Sequence, residues 1–560
     1  MKLTKFTWVD LVLLMTVAVL LVFIFAEKPR VYPRTQTQLN LSLALLPLYA
    51  LYSLLRMIVA YVLSLGFSIW AGYQASTSIR ARRIILPALD ILQSVPILGF
   101  FPAAVYFFIR LAHGSPIGAE AAAVFLIFTS QAWNMAFAAY ESLTTIPEDL
   151  LLASRQFRLT GIQRWIRLLL PSCVPKLSYN SMLSWAAGWF FLIASEIIAI
   201  GNASYTLPGL GSYLQQSLER GRNSNFLLGL LTLIGVVTLL HFVLWSPLLE
   251  WSKRFRYEMT AAGSSEGGSS WILKLVKRSE VFRYLQKRIL GPALEEGPRM
   301  LEGAFNRVPR STIRVSSILL LGIVLIGFGY GAIQIGRIVM RPWPQEALTI
   351  PLALLYSFLR LLLAYAISIA WTLPVAALIS RSPRWSRTLL PIAEILASVP
   401  ATAFFPLIVV LVLRQGANSN LPSVLLVLTG MQWYLLFNLI GGIQNIPEDM
   451  REVAQALRLR GWRYMRRVLI PAVIPSLITG SITAWGGGWN ALVLSEFVKY
   501  GEQTYGVTGI GAMLVKANDN GNIQMVLATV LSMVIVVTSL NRFFWRRAYD
   551  YATRKFTLEY

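Results

Sequence analysis

Residues 146–171 read IPEDLLLASRQFRLTGIQRWIRLLLP, and residues 446–471 read IPEDMREVAQALRLRGWRYMRRVLIP. IPED, Arg158/Arg458, Leu159/Leu459, Gly161/Gly461, Arg167/Arg467 and Pro171/Pro471 recur at a single spacing of 300 residues. Repetition at a fixed period governs the reading of a fold before any local signal does. The duplication therefore has to be traced outward from this stretch.

It covers most of the chain. YSLLRMIVAY from Tyr52 matches YSFLRLLLAY from Tyr356, and ILQSVPILGFFP from Ile91 matches ILASVPATAFFP from Ile395, both 304 residues apart. A four-residue slip falls in the polar stretches LAHGSPIGAE and QGANSN, where a loop tolerates a change of length. Trp133/Trp433, Trp185/Trp485, Gly188/Gly488, Trp189/Trp489, Ser195/Ser495, Glu196/Glu496 and Gly201/Gly501 then keep the spacing of 300. We divide the chain into a first unit at 1–250, a basic linker at 251–314 and a second unit at 315–560. The linker carries AAGSSEGGSS, flexible by composition, then WILKLVKRSEVFRYLQKR, with the charge and aromatic content of a helix on an anionic membrane surface.

The composition places the units in a bilayer. Of 560 residues, 56% are hydrophobic and 14% charged, against about 25% charged in soluble domains. Runs long enough to cross a membrane, about 20 residues each, lie at 8–26, 119–140, 226–245, 315–340 and 522–540. The first is flanked by Lys2 and Lys5 but is long for a signal sequence, and no small-residue cleavage pattern follows Ala26; it reads as a retained helix. Spans near 8–26, 51–72, 91–111, 119–140, 178–199 and 226–245, with six equivalents, give an all-α polytopic protein of about twelve helices. Six per unit returns the chain to its starting side, so the repeats are parallel about an axis along the membrane normal. RARR at 80–83, the opening stretches, the linker and RFFWRRAYDYATRK then share a side, cytoplasmic by the positive-inside rule, whereas Lys28, Arg30 and Arg34 fall opposite.

The same rule accounts for the formal charge of +24 without nucleic acid. A single cysteine, Cys173, excludes an intrachain disulfide, and His113 and His241 lack metal-ligand spacing. No Gly-Lys dipeptide occurs, so a P-loop is absent, and no Ser-His-Asp set is visible. The chain reads as a non-enzyme.

Within the opening stretches, Thr145-x-x-Glu148 and Asn445-x-x-Glu448 fit capping boxes that start a helix at each IPED. Leu150, Ala153 and Phe157, and Met450, Val453 and Leu457, follow on one face. Gly161 and Gly461 break the helix, and an Arg-rich stretch runs on to the prolines. One copy alone would be an ordinary juxtamembrane basic segment; two matching copies point to a paired cytoplasmic partner.

Polar groups inside the membrane are expensive and are functional candidates. Arg56 and Arg360 lie early in the second spans, and Glu196 and Glu496 at the outer ends of the fifth. An arginine facing a pore suits an anion, while snorkelling or helix-end pairing explains the same residues structurally; both readings stand. Ser94-Val95-Pro96 and Ser398-Val399-Pro400 can break a span and open carbonyls to a cavity. Trp185, Trp189, Trp485 and Trp489 are expected to pack against the neighbouring half, with the small residues at 186–188 and 486–488 allowing close approach.

The acidic, alanine-bearing helix, the turn and the later Leu-Pro resemble the EAA loop of type I ATP-binding-cassette importer permeases, most clearly from Arg451, Glu452, Val453 and Ala454 to Ile470-Pro471. SVP…FFP and the loops TLPGLGSYLQQ and GVTGIGAMLVK look like the nitrate/taurine/sulfonate/bicarbonate branch. That resemblance implies a fused pair of permease halves of the type I fold in a bacterial cytoplasmic (inner) membrane, with both termini cytoplasmic. It implies docking of two ATPase subunits through Glu148, Ala153, Phe157, Arg158, Gly161, Glu448, Glu452, Ala454, Leu457, Arg458 and Gly461. ATP and Mg would be bound by those subunits, and a separate extracytoplasmic binding protein would deliver a small anion. Arg56, Arg360, Glu196, Glu496, Ser94 and Ser398 are the path candidates. Two departures stand out: Leu152 opposes Glu452, and arginine occupies 158 and 458 where the family usually has glycine, so that Gly161 and Gly461 are expected to serve the turn. The rival readings are a six-plus-six secondary transporter driven by an ion gradient, and a membrane scaffold.

Overall fold

The computed structural model describes residues 39–255 and 342–556 apart from short interruptions. The expected span at 8–26, nearly all of the one at 315–340 and most of the linker lie outside the described residues. In the first repeat α1 is Leu46–Thr77, α2 Ile79–Ser94, α3 Ile97–Leu111, α4 Pro116–Thr144, α5 Glu148–Gln156, α6 Leu170–Glu196, α7 Leu210–Glu219 and α8 Asn223–Leu240. In the second α9 is Ile350–Arg381, α10 Pro383–Ser398, α11 Asn420–Gln444, α12 Glu448–Ala456, α13 Ile470–Glu496, α14 Ile510–Asp519, α15 Ile523–Leu540 and α16 Arg546–Phe556.

Helix α1 shows why these segments sit in lipid. Its buried stripe is small and polar, including Ser53, Ala60, Ser64, Ser68 and Ala71, and Ser64 and Ser68 donate to the carbonyls of Phe128 and Ala132 on α4. Leu51, Leu55, Val59, Val62 and Leu63 face outward. Large apolar residues outside and small ones at helix contacts invert the soluble pattern, as expected when the solvent is hydrocarbon. Among the described residues seven helices are long and apolar enough to cross a membrane. The fold is all-α but for two hairpins.

The SVP segments break the chain as expected: α2 stops at Ser94 and α3 resumes at Ile97, while α10 stops at Ser398 with Val399 extended at φ −76°, ψ 120°. The span expected at 178–199 ends earlier, at Glu196. Ile197–Ile200 instead pairs antiparallel with Ala203–Thr206, and Phe497–Tyr500 with Gln503–Gly506.

Three local expectations are corrected. The first-copy capping box does not form: Pro147 is the N-cap of α5, and the Thr145 hydroxyl donates to the Glu141 carbonyl at 2.9 Å, because Thr145 still caps the end of α4. Asn445 lies outside the described residues. The turn that ends each short helix is made by Arg158 (φ 49°) and Arg458 (φ 50°); Gly461 (φ 54°) adds a second bend of positive φ in the second copy, and Gly161 adds none in the first. Leu159 N–H bonds Ser154 C=O and Arg158 N–H bonds Arg155 C=O, with Leu459 to Ala454 and Arg458 to Gln455 in the second copy; these are Schellman ends with arginine where glycine is usual. Trp185 and Trp485, finally, meet aromatic rings of their own repeat, whereas Trp489 lies in the cluster that joins the two repeats, as expected. Trp185 sits 5.5 Å from Tyr61 and 5.7 Å from Trp245, and Trp485 repeats this with Tyr365 and Trp545 at 5.7 and 5.8 Å. The Gly188 and Gly488 positions do permit close approach, since a Cβ there would strike Met57 and Met431.

The repeats pack reciprocally. Helix α2 lies on α15, α3 on α13 and α14, and α10 on α6 and α8. One apolar cluster joins Ile97, Leu126 and Phe191 of the first repeat to Trp489 and Leu492 of the second.

Candidate functional site

Because α3 starts again at Ile97, its first N–H groups have no helical acceptor. The Ile97 N–H is taken by Oδ1 of Asn490 on α13 of the other repeat at 2.6 Å. Both residues of this cross-repeat cap line a cavity of about 130 Å³ walled by both repeats. Its polar groups are not symmetric. Gln93 faces it where the duplicate has Ala397, and Asn490 where the first repeat has Phe190; Asn134 and Tyr434 occupy matching positions. The Gln93 amide donates to Asn134 Oδ1 at 3.1 Å. Trp133 and Trp433 add aromatic walls. Among the described residues no Lys, Arg, His, Asp or Glu lines the cavity.

The intramembrane charges are gathered elsewhere. Arg56 donates to both oxygens of Glu120 at 2.6 Å, and its Nη1 reaches Glu196 Oε1 at 2.9 Å and the Pro208 carbonyl at 2.8 Å. The Ser53 hydroxyl and the Gly211 N–H complete the coordination of Glu196 at 2.5 and 2.6 Å. The second repeat copies this: Arg360 to Glu496 at 2.7 Å and to the Thr508 carbonyl at 2.7 Å, with Ser357 on the same carboxylate at 2.5 Å. Asn420 stands in for Glu120, at 3.0 Å from Arg360 Nε. A buried carboxylate is tolerable only when so fully bonded. Each network ties α1 or α9 to the end of α6 or α13 and to the loop after its hairpin. Sequence reasoning brought Arg56, Glu196, Arg360 and Glu496 forward but missed Glu120; a lone acid beside the first apolar run of α4 was the available signal. Ser94 and Ser398 are the last residues of α2 and α10, next to the broken segments.

The short helices α5 and α12 form the third feature. Ile146 and Ile446 are buried, as are Ser154 and Ala454, which fixes each helix against its repeat. Leu150 and Leu151 join the Leu143/Cys173 cluster, and Met450 joins that of Ile443 and Leu469. Outward stand Leu152 and Phe157 on one, Val453, Leu457 and Glu452 on the other; Phe157 is 78% exposed and Leu457 66%. Two bound helices thus carry matching apolar tips ringed by Arg155, Arg158, Arg458 and Arg460. Gly161 opens the next helical turn and Gly461 caps it. Nothing is described of the Glu448 side chain.

Comparison with known proteins agrees with this duplicated arrangement. The model of the family described as binding-protein-dependent transport system inner membrane component matches twice, at residues 64–249 and 367–548. The chain belongs to that family. Among curated relatives, the nitrate import permease protein NrtB of Leptolyngbya laminosa is 28% identical over 185 residues, 33% of this chain and 63% of the relative. The bicarbonate transport system permease protein CmpB of Synechococcus elongatus is 26% identical over 188 residues, 33% and 64%. The taurine transport system permease protein TauC of Escherichia coli is 25% identical over 180 residues, 32% and 62%. The chain therefore spans less than two thirds of the length of each of these relatives, and each match occupies about a third of the chain.

Proposed function

We propose that the chain is the membrane subunit of an ATP-binding-cassette importer, with both permease halves fused in one polypeptide. The observation that carries this reading is the pair of anchored helices α5 and α12, each presenting an apolar tip, Phe157 or Leu457, in a basic rim. Exposed apolar tips held by a fixed base are docking features, and their duplication matches a pair of ATPase subunits. Glu148, Ala153, Arg158, Gly161, Glu448, Glu452, Ala454, Arg458 and Gly461 belong to these two loops. ATP and Mg are bound by the partner subunits, and this chain is non-catalytic.

In this reading the protein spans a bacterial cytoplasmic membrane several times with both termini and the short helices on the cytoplasmic side. A solute-binding protein meets the opposite face. Closure of the ATPases brings α5 and α12 together and changes the access of the cavity between the repeats. The Arg56–Glu196 and Arg360–Glu496 networks brace that path, and Ser94 and Ser398 stand at its helix breaks. The names of the relatives support a small anion as cargo: nitrate, bicarbonate or a sulfonate.

The test is co-purification with candidate ATPases and ATP hydrolysis coupled to uptake in vesicles. Replacing Leu457 and Arg458 with Asp is expected to release the ATPase or abolish coupling. Uptake that continues without ATP and collapses with the proton gradient would identify a secondary carrier instead.

A further inference from the structure

Resting on the permease reading, we infer that the cavity between the repeats binds a singly charged oxoanion through neutral hydrogen-bond donors, with Asn134 and Tyr434 setting specificity. Among the described residues the lining holds no cationic side chain, and Arg56 and Arg360 are bonded to their own carboxylates. An anion crossing here meets N–H and O–H dipoles, not a counter-charge.

The donors in question are identifiable. Asn134 Oδ1 accepts from Gln93, and its amide nitrogen has no acceptor among the described residues. The Tyr434 hydroxyl likewise has no partner among them. Other polar groups at the site are already bonded: Asn490 uses both ends of its amide, and Ser130 and Thr429 donate to carbonyls of their own helices. Unbonded donors in a protein interior favour a ligand rich in acceptors. Single charge follows from desolvation, whose cost rises with the square of the charge, so that a dianion loses about four times as much as a monoanion. The cavity's 130 Å³ is well above the roughly 10–15 Å³ that a single water needs on the same measure, so a small polyatomic solute has room in it.

Positions 134 and 434 are duplicates of one another on α4 and α11, yet one carries a carboxamide and the other a phenol. The fused chain has therefore made its two pore walls chemically different, and the solute sits in an unsymmetrical cradle.

The experiment is equilibrium binding of radiolabelled methanesulfonate to the purified full chain in lipid nanodiscs, with nitrate, sulfate and urea as competitors. Nitrate is expected to displace the label, and sulfate and urea are not. Asn134→Asp sets a like charge against the anion and is expected to weaken binding at least about tenfold; the shape-preserving Tyr434→Phe is expected to weaken it about three- to tenfold. The site is overturned if no displaceable binding occurs up to about 10 mM, if sulfate or urea competes as well as nitrate, or if both variants bind like the parent. Such a failure with ATPase coupling intact removes this site alone. Loss of the coupling result removes the permease reading and leaves the binding measurement to stand by itself.

Discussion

His241 Nε2 of the first repeat lies 3.5 Å from Glu394 Oε2 of the second, and the residues at the matching duplicate positions, Asn541 and Asp90, meet at 3.2 Å. Each contact joins the last long helix of one repeat to the helix before the SVP break of the other. The broken helices border the cavity, so these two contacts lie where any relative movement of the repeats must be accommodated. The His241–Glu394 contact is mostly buried, the other exposed. Buried polar contacts couple more strongly than exposed ones. Double-mutant cycles by thermal unfolding should give about 1–2 kcal/mol of coupling for His241/Glu394 and less than about 0.5 kcal/mol for Asp90/Asn541. Equal couplings would mean that burial does not distinguish them.

The two charge networks predict unequal tolerance among their carboxylates. Glu120 is 42% exposed, and its duplicate is already Asn420. Glu120→Asn should therefore lower stability by no more than about 1 kcal/mol. Glu496→Ala leaves the buried Arg360 with Asn420 and the Thr508 carbonyl but no carboxylate among the described residues, and should cost about 3–5 kcal/mol. A Cβ at Gly209 or Gly509 would overlap the carboxylate of Glu196 or Glu496, so Gly209→Ala and Gly509→Ala should behave like the carboxylate deletions. Yield of folded protein and thermal midpoint in detergent measure all four.

Arg158 and Arg458 hold the left-handed conformation that closes a Schellman end. An L-residue with a Cβ is strained there by roughly 1–2 kcal/mol, part of which glycine returns as unfolded-chain entropy. Arg158→Gly and Arg458→Gly should each raise local stability by about 0.5–1 kcal/mol, seen as slower hydrogen exchange at the Leu159 and Leu459 amides. Arg458→Val should do the reverse. If glycine also weakens ATPase binding, the guanidinium itself makes a contact.

Repetition was legible because the two copies keep aromatic and glycine positions that packing demands, and the SVP breaks were legible because proline forbids a continued helix. The partner of Arg56 was not. Glu120 lies beside the four-residue slip, where alignment of the copies gives no guide, and its duplicate is a neutral amide. The cavity was hidden for a related reason. Gln93 opposes Ala397 and Asn134 opposes Tyr434, so a search for features shared by both copies passes over the residues whose difference gives the cavity its polarity. Helical spacing tells which residues share a face, not which neighbour that face meets. Trp185 illustrates this: its i, i+4 spacing to Trp189 gave a packed face, and only the position of Tyr61 and Trp245 showed that its ring meets aromatic rings of its own repeat.

Gly161 and Gly461, duplicates in sequence, predict opposite responses to one methyl group. Gly161 begins a helical turn without a positive φ, and a Cβ there would meet nothing within 4 Å. Gly461 caps the matching turn at φ 54°, ψ −128°, a conformation closed to residues with a Cβ, although the space around it is equally open. Gly161→Ala should therefore be neutral or stabilising by up to about 0.5–1 kcal/mol, through helix propensity and a stiffer unfolded chain. Gly461→Ala should destabilise by about 1–3 kcal/mol, the range for a residue forced into a sparsely populated backbone region. Because neither methyl touches a neighbour, a difference between the variants in thermal midpoint reports backbone conformation alone. It also separates the two loops: Gly461→Ala should perturb the path from Leu457 to the Arg-rich turn, while Gly161→Ala should leave the path from Phe157 intact. Limited proteolysis at the two loops, comparing each variant with the parent, reads this out; equal sensitivity at both loops would show that the two turns share one backbone state.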